Sequence, residues 1–363
     1  MPSRNILILG ASYGSLLGAK LALAGHQVTL ICLPAEADLI NQEGARIRMP
    51  IKGREAINAG LVEIDTRKAK GSLKAAGTQG IKPGSYDLIC LAMQEPQYRS
   101  PGVRELLDAI ARSRVPCMSI MNMPPLPYIA RIPGVDVQGV RACYTDASVW
   151  DSFDPATLTL CSPDPQAFRP PEEPVNVLQV RLATNFKSAK FDNPDHTAML
   201  RELERNIEAI RFDAGGGEMI ELPVKLKVFD SVFVPLAKWA MLMAGNYRCI
   251  QEGGPRPIKD AIHSNLEESR AIYNWVVKLC VTLGANEKDL VPFDKYAEAA
   301  KSLGAPSSAA RAVFAGMPNI ERVDRLVQTI AAQKGMRLEA LDNIVKLVDK
   351  KLEENRAKAA AKK

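Results

Sequence analysis

The chain has 363 residues, 47% of them hydrophobic and 24% charged, with 24 Gly, 25 Pro, 7 Cys and 3 His. At roughly 100–200 residues per domain this predicts two domains, each able to bury a core, and it excludes disordered, collagen-like and disulfide-scaffold classes. The net charge of +6 is mild, and no clustered basic patch with aromatic or motif support accompanies it, so no nucleic-acid partner is expected.

His26, His196 and His263 lie far apart, with no Cys-x-x-Cys or His-x-x-x-His spacing, so no metal site is expected. The cysteines (Cys32, Cys90, Cys117, Cys143, Cys161, Cys249, Cys280) are scattered and mostly embedded in apolar runs, as for buried thiols in a reducing cytoplasm. The apolar run at residues 5–10 is too short for a signal peptide and leads into a glycine turn. The longest apolar stretch, 232–245, is too short to cross a bilayer and carries Lys238, so no membrane partner is expected.

Taken in chain order, residues 6–9 form an aliphatic run ending in Gly10, as in a strand buried on both faces of a parallel sheet. Residues 16–24 predict a helix stopped by Gly25, 28–33 a second strand, and 35–43 a helix. Residues 46–51 and 61–64 read as a hairpin or a pair of short strands. Residues 66–85, rich in Lys, Gly and Ala, read as a surface excursion. A strand at 88–93, a helix at 103–112 and a strand at 115–121 follow. Residues 162–174 carry five prolines and read as a loop, 177–182 as a strand, and 198–210 as an amphipathic helix. From about Leu226 the chain reads as nearly all helical, with 3.6-residue periods at 228–245, 258–283, 293–303, 307–316 and 320–355. The expected architecture is an α/β domain with a Rossmann-type doubly wound sheet over residues 1–222, an all-helical domain over 223–355, and a frayed basic tail over 356–363.

Four places carry chemistry. The turn Gly10-Ala11-Ser12-Tyr13-Gly14 follows a buried strand and opens a helix, the position where backbone N–H groups and a helix N-terminus receive a dinucleotide pyrophosphate; Gly18 lies one turn on. The second strand ends Ile31-Cys32-Leu33-Pro34, with neither the acid that grips the ribose of NAD nor an arginine for the phosphate of NADP; Glu36 is close, on the helix side. Lys238 is the one charge in an apolar run, either snorkelling to the surface or held for chemistry, with Asn246 two turns later on roughly the same face. Ser307 and Ser308 read as an N-cap pair, and Glu321 as a first-turn carboxylate facing a helix dipole.

Together these residues resemble the ketopantoate reductase (2-dehydropantoate 2-reductase) family. The likeness runs through residues 14–30, 41–47 and 87–93 and spans about 5–335, thinly from 150 to 225. The resemblance implies Lys238 and Glu321 as catalytic residues and Asn246, Ser308 and Asn122 as substrate-binding residues. It implies Gly10, Ala11, Ser12, Tyr13, Gly14, Gln94, Gln97 and Asn122 as the cofactor site. It also implies NADP as cofactor, with NAD as the alternative because Leu33 stands where a basic residue usually binds the 2′-phosphate. Gln94 stands where a lysine is common, Leu242 where an asparagine is, and Ala312 where an aspartate is. The dinucleotide turn is one residue shorter than Gly-x-Gly-x-x-Gly.

The implied reaction is hydride transfer to the carbonyl of a small 2-oxo acid, ketopantoate or a related branched one, with Lys238 as general acid. A place in pantothenate biosynthesis, the cytoplasm and a homodimer formed through the helical domain follow from the same resemblance. Two other readings stand beside it. An opine-type dehydrogenase, joining a 2-oxo acid to an amino acid, would use a histidine in the helical domain, where only His263 lies, in what reads as an exposed helix face. A non-catalytic dinucleotide-binding sensor or partner-binding protein is compatible with Leu242 and Ala312 but has no need of Lys238.

Overall fold

The computed structural model describes residues 2–51, 60–214 and 217–361; Lys362 and Lys363 of the expected tail lie outside them. By packing, the chain divides into two units. The first comprises Met1–Met93, Ser100–Met121 and Val149–Asp230, and the second Gln94–Arg99, Asn122–Ser148 and Ser231–Lys363.

The first unit is built on an eight-stranded sheet. In spatial order its strands are Leu226–Phe229, Phe186–Ala189, Leu158–Ser162, Cys117–Ile120, Leu88–Leu91, Asn5–Leu9, Gln27–Ile31 and Ser72–Ala76. All neighbours are parallel except Phe186–Ala189 against Leu158–Ser162. Ile6, Leu7, Ile8 and Leu9 are fully buried, which is why their run is continuously aliphatic rather than alternating. The helices Tyr13–Leu23, Pro34–Glu43, Val103–Ser113 and Pro194–Glu208 belong to the same unit. The order of strands reverses between Asn5–Leu9 and Leu88–Leu91, as in a doubly wound sheet.

Two segments read as excursions prove to be sheet. Within 66–85, Ser72–Ala76 is an edge strand pairing with Gln27–Ile31, and the Asn41 side chain clamps its Ala75 N–H and C=O, both at 2.8 Å. Its sequence, Ser-Leu-Lys-Ala-Ala, carries no strong strand propensity, so the pairing makes the strand. Within 162–174, Gln166–Phe168 pairs antiparallel with Val177–Leu182 in a second sheet that also holds the hairpin Arg46–Pro50 and Leu61–Asp65. The helical reading from Leu226 onward is likewise corrected at its start, since Leu226–Phe229 is a strand parallel to Phe186–Ala189.

The second unit is helical, with several single-period readings broken into shorter pieces. The 258–283 pattern is two helices, Ile258–His263 and Leu266–Thr282, the second capped by Asn265. The 320–355 pattern is Val323–Gln333 and Glu339–Ala360, separated at Gly335, whose φ of 65° stops the first. The second of these continues to Ala360, so Lys358 is helical where a frayed tail was expected. Among the described residues no helix is long and apolar enough to cross a membrane.

The stretch expected as one helix over 228–245 changes character repeatedly. A 3-10 turn Pro235–Ala237 leads into one α-turn, Lys238–Met241, then a π-turn, Leu242–Asn246, then a 3-10 turn, Tyr247–Cys249. Tyr296 causes the π-turn. Its hydroxyl donates to the Met241 carbonyl at 3.1 Å, the acceptor that Gly245 N–H would use in a regular helix. Gly245 is required there, because a Cβ would collide with the Tyr296 hydroxyl. Such single π-turns are frequent at functional sites.

Candidate active site

The first component lies in the first unit. Gly10 adopts φ +102°, and a Cβ there would stand 2.6 Å from the Ala92 carbonyl, so only glycine fits. Gly10 N–H binds Ile31 O at 2.9 Å, tying the turn to the end of the neighbouring strand. Gly14 lets its helix sit close on Ile8, where a Cβ would come within 2.7 Å of the Ile8 side chain. Ser12 is the exposed N-cap and makes no side-chain cap bond; Ala11 is buried and Tyr13 half-buried. The first turn of this helix holds no acidic residue, so no carboxylate of its own competes for the positive end of the dipole. A close backbone approach and an uncapped, acid-free helix N-terminus fit a dinucleotide pyrophosphate.

The second component lies wholly within the second unit. A narrow pocket is lined by Gln94, Asn122, Leu242, Asn246, Tyr247, Ser308, Ala309, Ala312, Ile320 and Glu321. Four of the five expected catalytic and substrate residues, Asn122, Asn246, Ser308 and Glu321, are thus brought together, with Gln94. Its volume of about 20 Å³ holds roughly one water. Ser307 orders one wall: it caps the helix Ser308–Phe314 through Ala310 N–H at 3.1 Å and donates to Asn246 O at 2.7 Å. This leaves Ser308 exposed at the start of that helix. Lys238 is not among the lining residues. It is 9% exposed and one turn before Leu242, which does line the pocket, so the side chain is held inside rather than extended to the surface.

Glu321 lies outside the helix Val323–Gln333, two residues before it, so the first-turn reading is corrected. Its carboxyl is buried, accepts from Glu95 N–H at 3.3 Å, and hydrogen-bonds the Asn122 side chain and Met123 N–H. Burial pushes it up to about 7, with the neighbouring Glu95 charge adding to the effect and the hydrogen bonds opposing it. Glu95, only 2% exposed, is clamped by Thr145 N–H at 2.9 Å and Thr145 Oγ1 at 2.8 Å, and burial raises its carboxyl as well. Tyr247 ties the same turn together: its hydroxyl donates to Glu321 O and accepts from Val323 N–H at 3.0 Å. Asn122 Oδ1 is buried and has no hydrogen-bond partner among the described residues.

Glu95 and Tyr247 were not singled out from sequence. Glu95 sits in a polar turn with nothing to mark its burial, and Tyr247 is marked only by following Asn246. Gln94 and Gln97 are exposed and joined through Gln94 N–H to Gln97 Oε1 at 2.9 Å; they belong to the second unit, while Gly10, Ala11, Ser12, Tyr13 and Gly14 belong to the first. His263 is partly buried, with Nε2 2.9 Å from Ala297 O, and does not line the pocket; the exposed-face reading is corrected. None of the seven cysteines is in a disulfide, and all but Cys32 are buried.

A scan against protein-family models finds no match, and neither does a search of curated proteins. Solved structures do match over the whole chain. A protein assigned as a ketopantoate reductase from Ralstonia solanacearum aligns with a TM-score of 0.66 at 14% identity, covering 98% of this chain and 99% of that one. D-mandelate dehydrogenase, solved with NADH and anilino(oxo)acetate, aligns at 0.61 and 14%, covering 97% and 99%. The 2-dehydropantoate 2-reductase of Methylococcus capsulatus aligns at 0.62 and 14%, covering 97% of each chain. The chain therefore has the fold of the ketopantoate reductases, a doubly wound sheet followed by a helical region.

Proposed function

We propose that the chain is a nicotinamide-dependent reductase of a small 2-oxo acid, with Lys238 as general acid. The observation that carries this reading is the convergence of Asn122, Asn246, Ser308 and Glu321 on one pocket, one turn from a buried lysine. The Gly10–Gly14 turn would hold the dinucleotide by its pyrophosphate, with Ser12 at the helix N-terminus, and Gln94, Gln97 and Asn122 as further contacts. When bound, the reduced nicotinamide supplies the hydride.

The carbonyl carbon gains that hydride and the carbonyl oxygen gains a proton, leaving a 2-hydroxy acid. The ammonium of Lys238 stabilises the charge that develops on the oxygen and donates the proton. Glu321, whose carboxyl is poised near neutrality, orients the substrate and holds the lysine. Asn246 and Ser308 fix the substrate carboxylate and hydroxyl groups, and Asn122 Oδ1 accepts from a ligand donor.

The substrate we infer is ketopantoate or a related branched 2-oxo acid. Leu242, Ala309, Ala312 and Ile320 make part of the pocket wall apolar, which favours a branched hydrocarbon substituent. D-mandelate dehydrogenase, which shares this fold, is solved with anilino(oxo)acetate, a ligand that carries an oxo group beside its carboxylate. We also infer NADP as the cofactor, the cytoplasm as the site of action, and a homodimer, the last because a ketopantoate reductase of this fold from Staphylococcus aureus is described as dimeric.

The test is oxidation of NADPH and of NADH against ketopantoate and a panel of branched 2-oxo acids, followed spectrophotometrically. Lys238→Ala is expected to lower kcat by at least about two orders of magnitude in a folded protein. Turnover that survives the substitution removes Lys238 from the mechanism. Cofactor binding without turnover on the whole panel replaces this reading with the non-catalytic one.

A further inference from the structure

We propose that Arg169 recognises the 2′-phosphate of NADP, supplying from a distant segment the cation that the end of the second strand lacks. This rests on the cofactor reading of the Gly10–Gly14 turn. In a doubly wound sheet the adenosine ribose is read beside the end of the second strand, by an acid for a 2′-hydroxyl or an arginine for a 2′-phosphate. Here that strand ends at Ile31, and the next exposed side chain is Leu33, 75% exposed and unable to do either.

The proline-rich segment fills the gap. The strand Gln166–Phe168, paired antiparallel with Val177–Leu182, delivers Arg169 immediately before Pro170 and Pro171. Arg169 Nη2 donates to Ala11 O at 3.0 Å, the residue directly after Gly10, and to the Glu36 carboxylate in the first turn of the helix after the second strand. Both charges act on the Cys32 thiol, Glu36 raising and Arg169 lowering its proton affinity, which places them at that strand end. All of these residues belong to the first unit.

Of the two charges, the guanidinium is the one presented to a ligand. Arg169 is 31% exposed at its side chain against 10% for Glu36, and its Nε and Nη1 have no partner among the described residues. Glu36 is already engaged and largely covered, so it is not available to accept from a 2′-hydroxyl. Its role is to hold the arginine against the turn, at the cost of some repulsion toward a phosphate. An arginine fork matches phosphate geometry through paired N–H donors.

The test is equilibrium titration of the full-length protein with NADPH and with NADH, read by cofactor fluorescence, with no substrate present. The wild type is expected to bind NADPH more tightly than NADH. Arg169→Gln should weaken NADPH binding roughly tenfold to a hundredfold while changing NADH binding much less, the loss expected for a charge-assisted contact to phosphate. Arg169→Lys should restore part of the preference. Glu36→Gln, which keeps Arg169, should raise the NADPH-to-NADH preference by removing a nearby negative charge. A preference for NADH in the wild type, or equal losses for both dinucleotides in Arg169→Gln and an unmoved ratio in Glu36→Gln, overturns the assignment of Arg169 alone. Failure of the wild type to bind either dinucleotide overturns the cofactor reading, and this proposal with it.

Discussion

Replacing Glu321 by glutamine tests whether the pocket stores a cost in stability. The carboxyl is 8% exposed, and burial lifts it from 4.5 to about 7. Between those values the folded protein keeps a proton that the unfolded chain has lost, so stability falls as pH rises from about 4.5 to about 7 and then levels off. A displacement of that size corresponds to about 3 kcal/mol. The groups facing the carboxyl are Glu95, Asn122 and Met123 N–H, and of these the Glu95 charge adds to the cost. Glutamine keeps an acceptor for Glu95 N–H and cannot ionise. Relative to wild type, Glu321→Gln should therefore gain about 3 kcal/mol more at about pH 8 than at about pH 4.5. Urea unfolding of both proteins at both pH values measures this as a difference of differences, in which the titrating groups away from Glu95 and Glu321 cancel. A gap between the two proteins that does not change with pH would refute the burial argument. The same substitution should abolish most reductase turnover, so stability and activity move in opposite directions.

Gly10→Ala places a Cβ 2.6 Å from the Ala92 carbonyl at φ +102°, so the turn must distort, and NADPH titration should show binding weakened by at least about tenfold; unchanged affinity would remove this turn from the cofactor site. Lys20 is 1% exposed, its Nζ has no hydrogen-bond partner among the described residues, and burial lowers its ammonium from 10.5 to about 7. Because the unfolded chain binds the extra proton between those values, wild-type stability rises with pH from about 7 to 10.5. Lys20→Met should thus stabilise the protein at or below neutral pH, by up to about 5 kcal/mol, and the gain should shrink as pH approaches 10; a gain independent of pH in thermal unfolding would assign the effect to packing instead.

What sequence alone determined was local and periodic. Residues 6–9 read as a strand buried on both faces and 88–93 as a strand because no polar side chain interrupts them, and Gly10 read as a turn because it ends such a run before a helix. The hairpin Arg46–Pro50 with Leu61–Asp65 and the cap at Ser307 were legible for the same reason, since their signals lie within a few residues of the structure they make. Tertiary structure decided everything whose cause is a distant partner. Ser72–Ala76 is a strand because Gln27–Ile31 and Asn41 pair with it. The π-turn at Leu242–Asn246 exists because Tyr296, fifty residues on, takes the Met241 carbonyl. Glu95 reads as a polar turn residue until Thr145 and Glu321 close around it, and Arg169 reads as part of a proline-rich loop until it reaches Ala11 and Glu36. Periodicity reports which face of an element is buried. It carries no information about which remote polar group meets a buried charge, and that pairing decides the chemistry of this site.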